Sequence, residues 1–192
     1  RIFMSQAAAK NTQSSKFSVR DICYTGLFAA VIAVMAQISI PMPLGVPMTM
    51  QTFAITLAAV VLGSKLSAMA SLVYLILGAV GVPVLASFSG GIDKFVGPTG
   101  GFLISFPLMA YLIGLGVEHR NAFKGAFPLA VVVGTVVNYI VGVILFVIVA
   151  HSTVAVAISA CVLPFIPTAI IKAVLACAIG LNIRKRIPGL KA

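Results

Sequence analysis

Long apolar runs alternate with short clusters of glycine, proline and charge, and this alternation predicts the elements of the chain. The runs cover residues 22–40, 48–63, 66–81, 102–117, 126–150 and 167–183. None shows the every-second-residue alternation of a barrel strand, so each is expected to be a helix that satisfies its own backbone. Pro41 and Pro43 end the first run, Gly63-Ser64-Lys65 parts the second from the third, and Gly81 with Pro83 stops the third. The second and third are short against the roughly 20 residues of a perpendicular crossing, so flanking polar residues are expected to extend them. His151 is expected to cap the fifth helix. Residues 152–161 are apolar but too short to cross, which predicts a short helix at the membrane edge. Pro164 and Pro167 then break the chain, and Pro167 suits the first turn of the last helix. The expected fold class is an all-α integral membrane protein with a six-transmembrane-helix bundle over 21–186. A flexible basic leader is expected over 1–20 and a short tail over 187–192.

Composition removes the soluble alternative. The 192 residues are 61% hydrophobic and only 8% charged, where soluble domains carry about 25% charged residues. The mean hydropathy is +1.18. Charge placement then sets the orientation. With a cytoplasmic N-terminus, Arg1, Lys10, Lys16, Arg20, Lys65, Arg120, Lys124, Arg184, Lys185, Arg186 and Lys191 all fall inside. Lys94 alone falls outside, and Lys172 lies within a span. Positive-inside asymmetry therefore predicts both termini in the cytoplasm. The net charge of +10 follows from topology and from attraction to anionic lipid. No basic stripe is interleaved with aromatics, so nucleic acid is not an expected partner.

Several chemistries drop out. Cys23, Cys161 and Cys177 stand singly, without metal spacing, and His119 and His151 fall at helix ends. No phosphate-binding loop is present. Asp21, Asp93 and Glu118 are the only acids, and none lies in a predicted span, so the buried carboxylate of a proton relay is missing. No nucleophile has a base in register, so an enzyme is not expected and no cofactor or metal is implied. Binding without chemistry remains.

Residues 83–101 are expected to form a glycine-rich loop opening outward, beside the 42–46 turn and residues 152–167, with the substrate site near the extracellular face. Phe88, Ser89, Gly90, Asp93, Phe95, Gly97, Thr99, Gly100 and Gly101 are its candidate site residues, offering apolar anchors, hydroxyls and accessible amides. The loop is expected to be a gate as well as a wall, hinged at Gly90-Gly91 and Gly100-Gly101. Lys172 stands about 8 Å below the outer end of its helix, too deep to be idle. Its partner is either Asp93 or an anionic ligand. Asn138, midway along the fifth span, either holds two helices together or meets a ligand. Gln51, opening the second span, is either a solvated end residue or a further ligand contact.

These residues carry a family resemblance. Phe88-x-Gly-Gly followed by Gly97-Pro-Thr-Gly-Gly101, preceded by Gly81-x-Pro83-Val, resembles the signature of biotin-binding S components of prokaryotic energy-coupling-factor transporters. The opening Ala36-Gln-Ile-Ser-Ile-Pro41 with Pro47-Met-Thr-Met-Gln-Thr-Phe53, and the closing Pro164-Phe-x-Pro167 with Lys172, are similar to the same family. The resemblance runs from Thr25 to Ile183. It implies capture of biotin from outside, a multi-pass protein in the cytoplasmic membrane, a membrane scaffold (T component) and two ATPase subunits. One position departs: the family's last motif has an Asp three residues before the lysine, and this chain has Ala169.

With biotin as ligand, Lys172 suits the carboxylate, Asn138 and Gln51 the urea, and Phe88, Phe95 and Met48 the apolar chain. Ala29 and Ala33 lie four apart on the first span with Ala30, Ala36 and Gly26 nearby. Such a patch lets helices approach closely. It is either internal packing or, as the resemblance implies, the scaffold-docking surface. Two other readings stay open: a self-sufficient permease for a small carboxylated solute, and an intramembrane enzyme.

Overall fold

The computed structural model describes residues 18–42, 45–121 and 125–187. The elements run α1 (Val19–Ala36), β1 (Ser39–Ile40), β2 (Met48–Thr49), α2 (Gln51–Leu62), α3 (Ser64–Ala79), α4 (Asp93–Val96), α5 (Gly100–Glu118), α6 (Ala126–Ala150), α7 (Val154–Cys161) and α8 (Ile166–Arg186). Helices α1, α5, α6 and α8 are long and apolar enough to cross a membrane, and α2 and α3 are shorter apolar helices. The expected leader over 1–20 falls outside the described residues up to residue 17, and the tail from 188 onward does likewise.

Helix α1 starts before its apolar run because a capping box begins it. Ser18 Oγ accepts from Arg20 N at 3.3 Å and Asp21 Oδ2 accepts from Ser18 N at 3.0 Å, which satisfies amides that the helix leaves open. Between α1 and α2 the chain makes a small antiparallel hairpin, with Ser39 opposite Thr49 and Ile40 opposite Met48. Both its strands lie in stretches expected to be helical.

Helix α2 is the axis of the bundle. Every residue of it except Thr52 is buried, which is why its sequence shows no polar face. Helices α1, α3, α5 and α8 pack around it. Helix α6 lies along α5, where small residues bring the backbones together: a Cβ on Gly101 would fall 2.5 Å from the Val141 carbonyl oxygen and 2.8 Å from Leu145 Cβ. Helix α7 folds back over the end of α6, burying Ala157 and Cys161 with Val46 and Phe146. His151 ends α6 in a left-handed conformation.

At the end holding the C-termini of α2, α5 and α8, charged side chains close the open helix ends. The Glu118 carboxylate accepts from Ser64 N at 2.7 Å and from Ser64 Oγ, capping α3. Arg184 Nη1 donates to the carbonyls of Val60 at 3.2 Å and Val61 at 3.0 Å, satisfying the last turn of α2.

Candidate ligand-binding site

At the opposite end, the C-termini of α1, α3 and α6 meet the N-termini of α2, α5 and α8 around a cavity of about 280 Å³. Phe102, Leu103 and Phe106 of α5 and Phe165 before α8 form its apolar wall. Its polar groups come from separate elements and include Thr49 of β2, Gln51 of α2, Asn138 of α6 and Lys172 of α8.

Each polar group is held by a defined contact. Lys172 Nζ donates to the Thr49 carbonyl at 2.6 Å. Among the described residues it has no carboxylate partner, because the ion pair that Asp93 makes is with its neighbour Lys94, at 3.3 Å. The Asp93 alternative for Lys172 is therefore corrected: α4 turns Asp93 out to solvent, and it stands outside the cavity wall. Asn138 is 2% exposed. Its Nδ2 donates to the Phe102 carbonyl at 3.1 Å and to Ser105 Oγ at 2.8 Å. It is thus both an interhelical link and part of the wall, with Oδ1 accepting from no protein donor among the described residues. Gln51 is buried at 5% exposure. Its Nε2 donates to Tyr74 Oη at 2.6 Å, and its Oε1 accepts from Thr49 Oγ1 at 2.8 Å. A solvated end residue is ruled out by that geometry.

The stretch expected to be a loop over 83–101 is largely structured. Leu85 pairs with Ser89 across a single bridge, Ala86–Phe88 makes a 3-10 turn, α4 follows, and α5 begins at Gly100. Ser89 and Thr99 line the cavity, as do Ser87 and Lys94. The remaining expectations on this stretch are corrected. Phe88 points outward at 72% exposure, in a left-handed backbone conformation (φ 52°). Phe95 packs against the main core behind the wall. Gly90 sits against the Val82 carbonyl, at 2.5 Å from a built Cβ, and Gly97 beside the Asp93 carbonyl; neither lines the cavity. Gly100 and Gly101 are buried in the first turn of α5, against Phe95 and α6 respectively. A helix start wedged in this way is no hinge. Met48 also stands outside the wall.

Ala29 is 4% exposed and belongs to the main core, with Ala33 half-buried against it. The 3.6-residue period turns Gly26 and Ala30 outward instead, and nothing lies within 4 Å of a Cβ built on Gly26. Ala169, where the resemblance leads to an Asp, lies in the cavity wall with Lys172.

Sequence reasoning passed over Gln37, Thr49 and Tyr74. Gln37 Nε2 donates to the carbonyls of Val84 and Leu85, both at 3.2 Å, and its Oε1 accepts from Phe88 N at 2.7 Å, so it pins the 3-10 turn to α1. A lone amide at the end of an apolar run was the available signal. Thr49 holds Lys172 through its backbone carbonyl, which no residue type announces.

A bundle of apolar helices around a cavity of ligand size, with the Lys172 ammonium held in its wall by a backbone carbonyl, defines a membrane-helix protein with a small-molecule cavity at one end. Residues 8–189 match the model of the BioY family, and the chain belongs to that family. It is 42% identical over 168 residues to the biotin transporter BioY of Thermotoga maritima, covering 87% of this chain and 97% of that one. It is 35% identical over 186 residues to the biotin transporter BioY of Rhizobium etli, covering 91% and 98%. The fold superposes with a TM-score of 0.79 and 27% identity on a crystal structure of the S-component for biotin from an ECF-type ABC transporter, covering 88% of this chain and 93% of that one.

Proposed function

We propose that this chain captures biotin at the outer face of a prokaryotic cytoplasmic membrane and delivers it as the S component of an ECF-type transporter. The observation that carries the reading is Lys172, an ammonium held in a cavity wall by a neutral carbonyl and lacking a carboxylate partner among the described residues. Biotin is a monoanion with an apolar chain and a cyclic urea. Its carboxylate meets Lys172 about 9 Å into α8 from Ile166, on the side where the helix dipole favours negative charge. The chain lies along Phe102, Leu103 and Phe106. The urea meets Gln51 and the open Oδ1 of Asn138. A wrong ligand leaves such buried groups unpaired, at about 1–3 kcal/mol each.

In this reading the bundle crosses the membrane six times, α2 and α3 included, with both termini cytoplasmic and the cavity outward. Lys65, Arg120 and Arg184–Arg186 then lie inside, in keeping with the positive-inside rule. A T component and two ATPases supply the energy, and the outward small residues of α1 meet the T component.

Equilibrium dialysis of the purified protein against a panel of labelled vitamins tests the substrate. Biotin is expected to be retained at one molecule per chain while other carboxylated vitamins are not. Saturation by another vitamin, with biotin left free, would remove the reading.

A further inference from the structure

Gln37 stands at the C-terminal end of α1, half-buried and outside the cavity wall. Its Nε2 donates to the carbonyls of Ala33 at 2.8 Å, Val84 at 3.2 Å and Leu85 at 3.2 Å. Its Oε1 accepts from Phe88 N at 2.7 Å. All four partners are backbone groups, and a carbonyl only accepts while an amide N–H only donates. The orientation of this amide is therefore unambiguous: turned over, it would set oxygen against carbonyl oxygens and N–H against N–H.

The conformation it holds is one that L residues avoid. Ser87 (φ 57°, ψ 41°) and Phe88 (φ 52°) are consecutive non-glycine residues in the left-handed region, which such a residue populates about ten-fold less than the right-handed one. Leu85 anchors the start of the turn in the core. Leu85 N donates to the Ser89 carbonyl at 2.9 Å and Ser89 N to the Ala86 carbonyl at 3.3 Å, which closes the turn on itself. Its polar ties to α1 and β1 are the Gln37 amide and the Ser39 hydroxyl, 2.9 Å from Ser87 Oγ. Leu85, Ala86, Ser87 and Ser89 all line the cavity, so the shape of this turn is the shape of that part of the wall.

We propose that Gln37 is a positioning residue of the ligand site: by bonding the backbone of Val84, Leu85 and Phe88 it holds the left-handed turn in place, so that this part of the wall is formed before the ligand arrives. Gln37 touches no ligand and acts only through the turn, and the identity of the ligand rests on the proposed function. Without the amide, Ser87 and Phe88 relax toward ordinary backbone and the formed wall becomes a minor state. Apparent affinity then falls in proportion to the population of that state.

The test begins with hydrogen exchange on the ligand-free full chain in detergent, read at single-residue resolution. Phe88 is 72% exposed, yet its N–H is expected to exchange about ten-fold or more slowly than in a free peptide, because Gln37 Oε1 holds it. Exchange at the free-peptide rate in the wild type would overturn the proposal, and this measurement needs neither a folded variant nor a ligand. Biotin titration follows. No binding by the wild type would remove the proposed function, while protection of the Phe88 N–H still decides whether Gln37 holds the turn. Given binding, Gln37→Leu and Gln37→Glu are each expected to weaken biotin about ten-fold. The first keeps the bulk; the second keeps an acceptor for Phe88 N but offers the Val84 and Leu85 carbonyls no donor. Phe88→Gly places glycine where positive φ carries no penalty. It is expected to leave wild-type affinity within about two-fold and to recover about three-fold or more in the Gln37→Leu background. Full affinity in Gln37→Glu, or a loss in Gln37→Leu that Phe88→Gly does not relieve, would show that Gln37 contributes packing alone and would overturn the proposal.

Discussion

Asn138 directs Nδ2 at two acceptors on α5, Phe102 O and Ser105 Oγ, and leaves Oδ1 for a ligand donor. The interhelical reading is realised through Nδ2, and the ligand reading is a proposal that rests on Oδ1. Asn138→Leu keeps the volume and removes every polar atom, and an unpaired ligand N–H costs about 1–3 kcal/mol. Biotin affinity measured by calorimetry is expected to fall between about 5- and 150-fold. Unchanged affinity with a lowered melting temperature would leave Asn138 only its interhelical role. Lys172 was legible in the sequence because a lone charge in an apolar run has few explanations. Tyr74 was not: a tyrosine in an apolar helix reads as core, and its partner Gln51 lies 23 positions away. Asp93 misled for the converse reason, since it is rare and near the motif yet pairs with the adjacent Lys94.

Among the elements, α6, α7 and α8 follow their sequence breaks closely, because Gly125, His151, Pro164 and Pro167 interrupt the apolar pattern sharply. The hairpin of β1 and β2 was illegible, since two-residue strands are too short to show a period. The start of α5 was misread for a physical reason. Gly100-Gly101 carries a turn signature, but here glycine serves close approach to Phe95 and to α6, and the residues are helical. The links at the far end were equally hidden, for Arg184 meets the α2 carbonyls across 123 and 124 positions. Arg184 is 5% exposed and remote from the cavity, which separates stability from binding. Arg184→Met leaves the Val60 and Val61 carbonyls without its N–H and is expected to destabilise by about 1–3 kcal/mol. Thermal unfolding in detergent should show a melting temperature several degrees lower, with biotin affinity at 25 °C within about two-fold of wild type. A mutant with full stability would show those carbonyls satisfied by other means, and a large loss of affinity would tie the two ends together.

At the scale of the molecule, one end of the bundle is closed by charge–backbone links and the other holds a cavity whose polar groups come from elements far apart in sequence. The family and its helical architecture were legible from spaced motifs and apolar runs; the face of α1 was not, because Ala29 and Ala30 are adjacent in sequence yet one is buried and the other exposed. Ala30→Trp adds bulk on the outward face and should leave biotin binding intact while abolishing co-purification with a T component. Ala29→Trp, placed in the core, should instead prevent folding, since overpacking of a filled core is not relieved. Intact co-purification of Ala30→Trp would move the docking surface off α1. The central claim is that Lys172 receives the carboxylate of biotin in this cavity. Calorimetric titration of wild type and Lys172→Gln with biotin and with its primary amide tests it most directly. Wild type is expected to bind one biotin per chain and to prefer the acid, and Lys172→Gln to lose at least ten-fold for the acid while changing little for the amide. No binding of biotin to the wild type, or equal losses for acid and amide, would contradict the account.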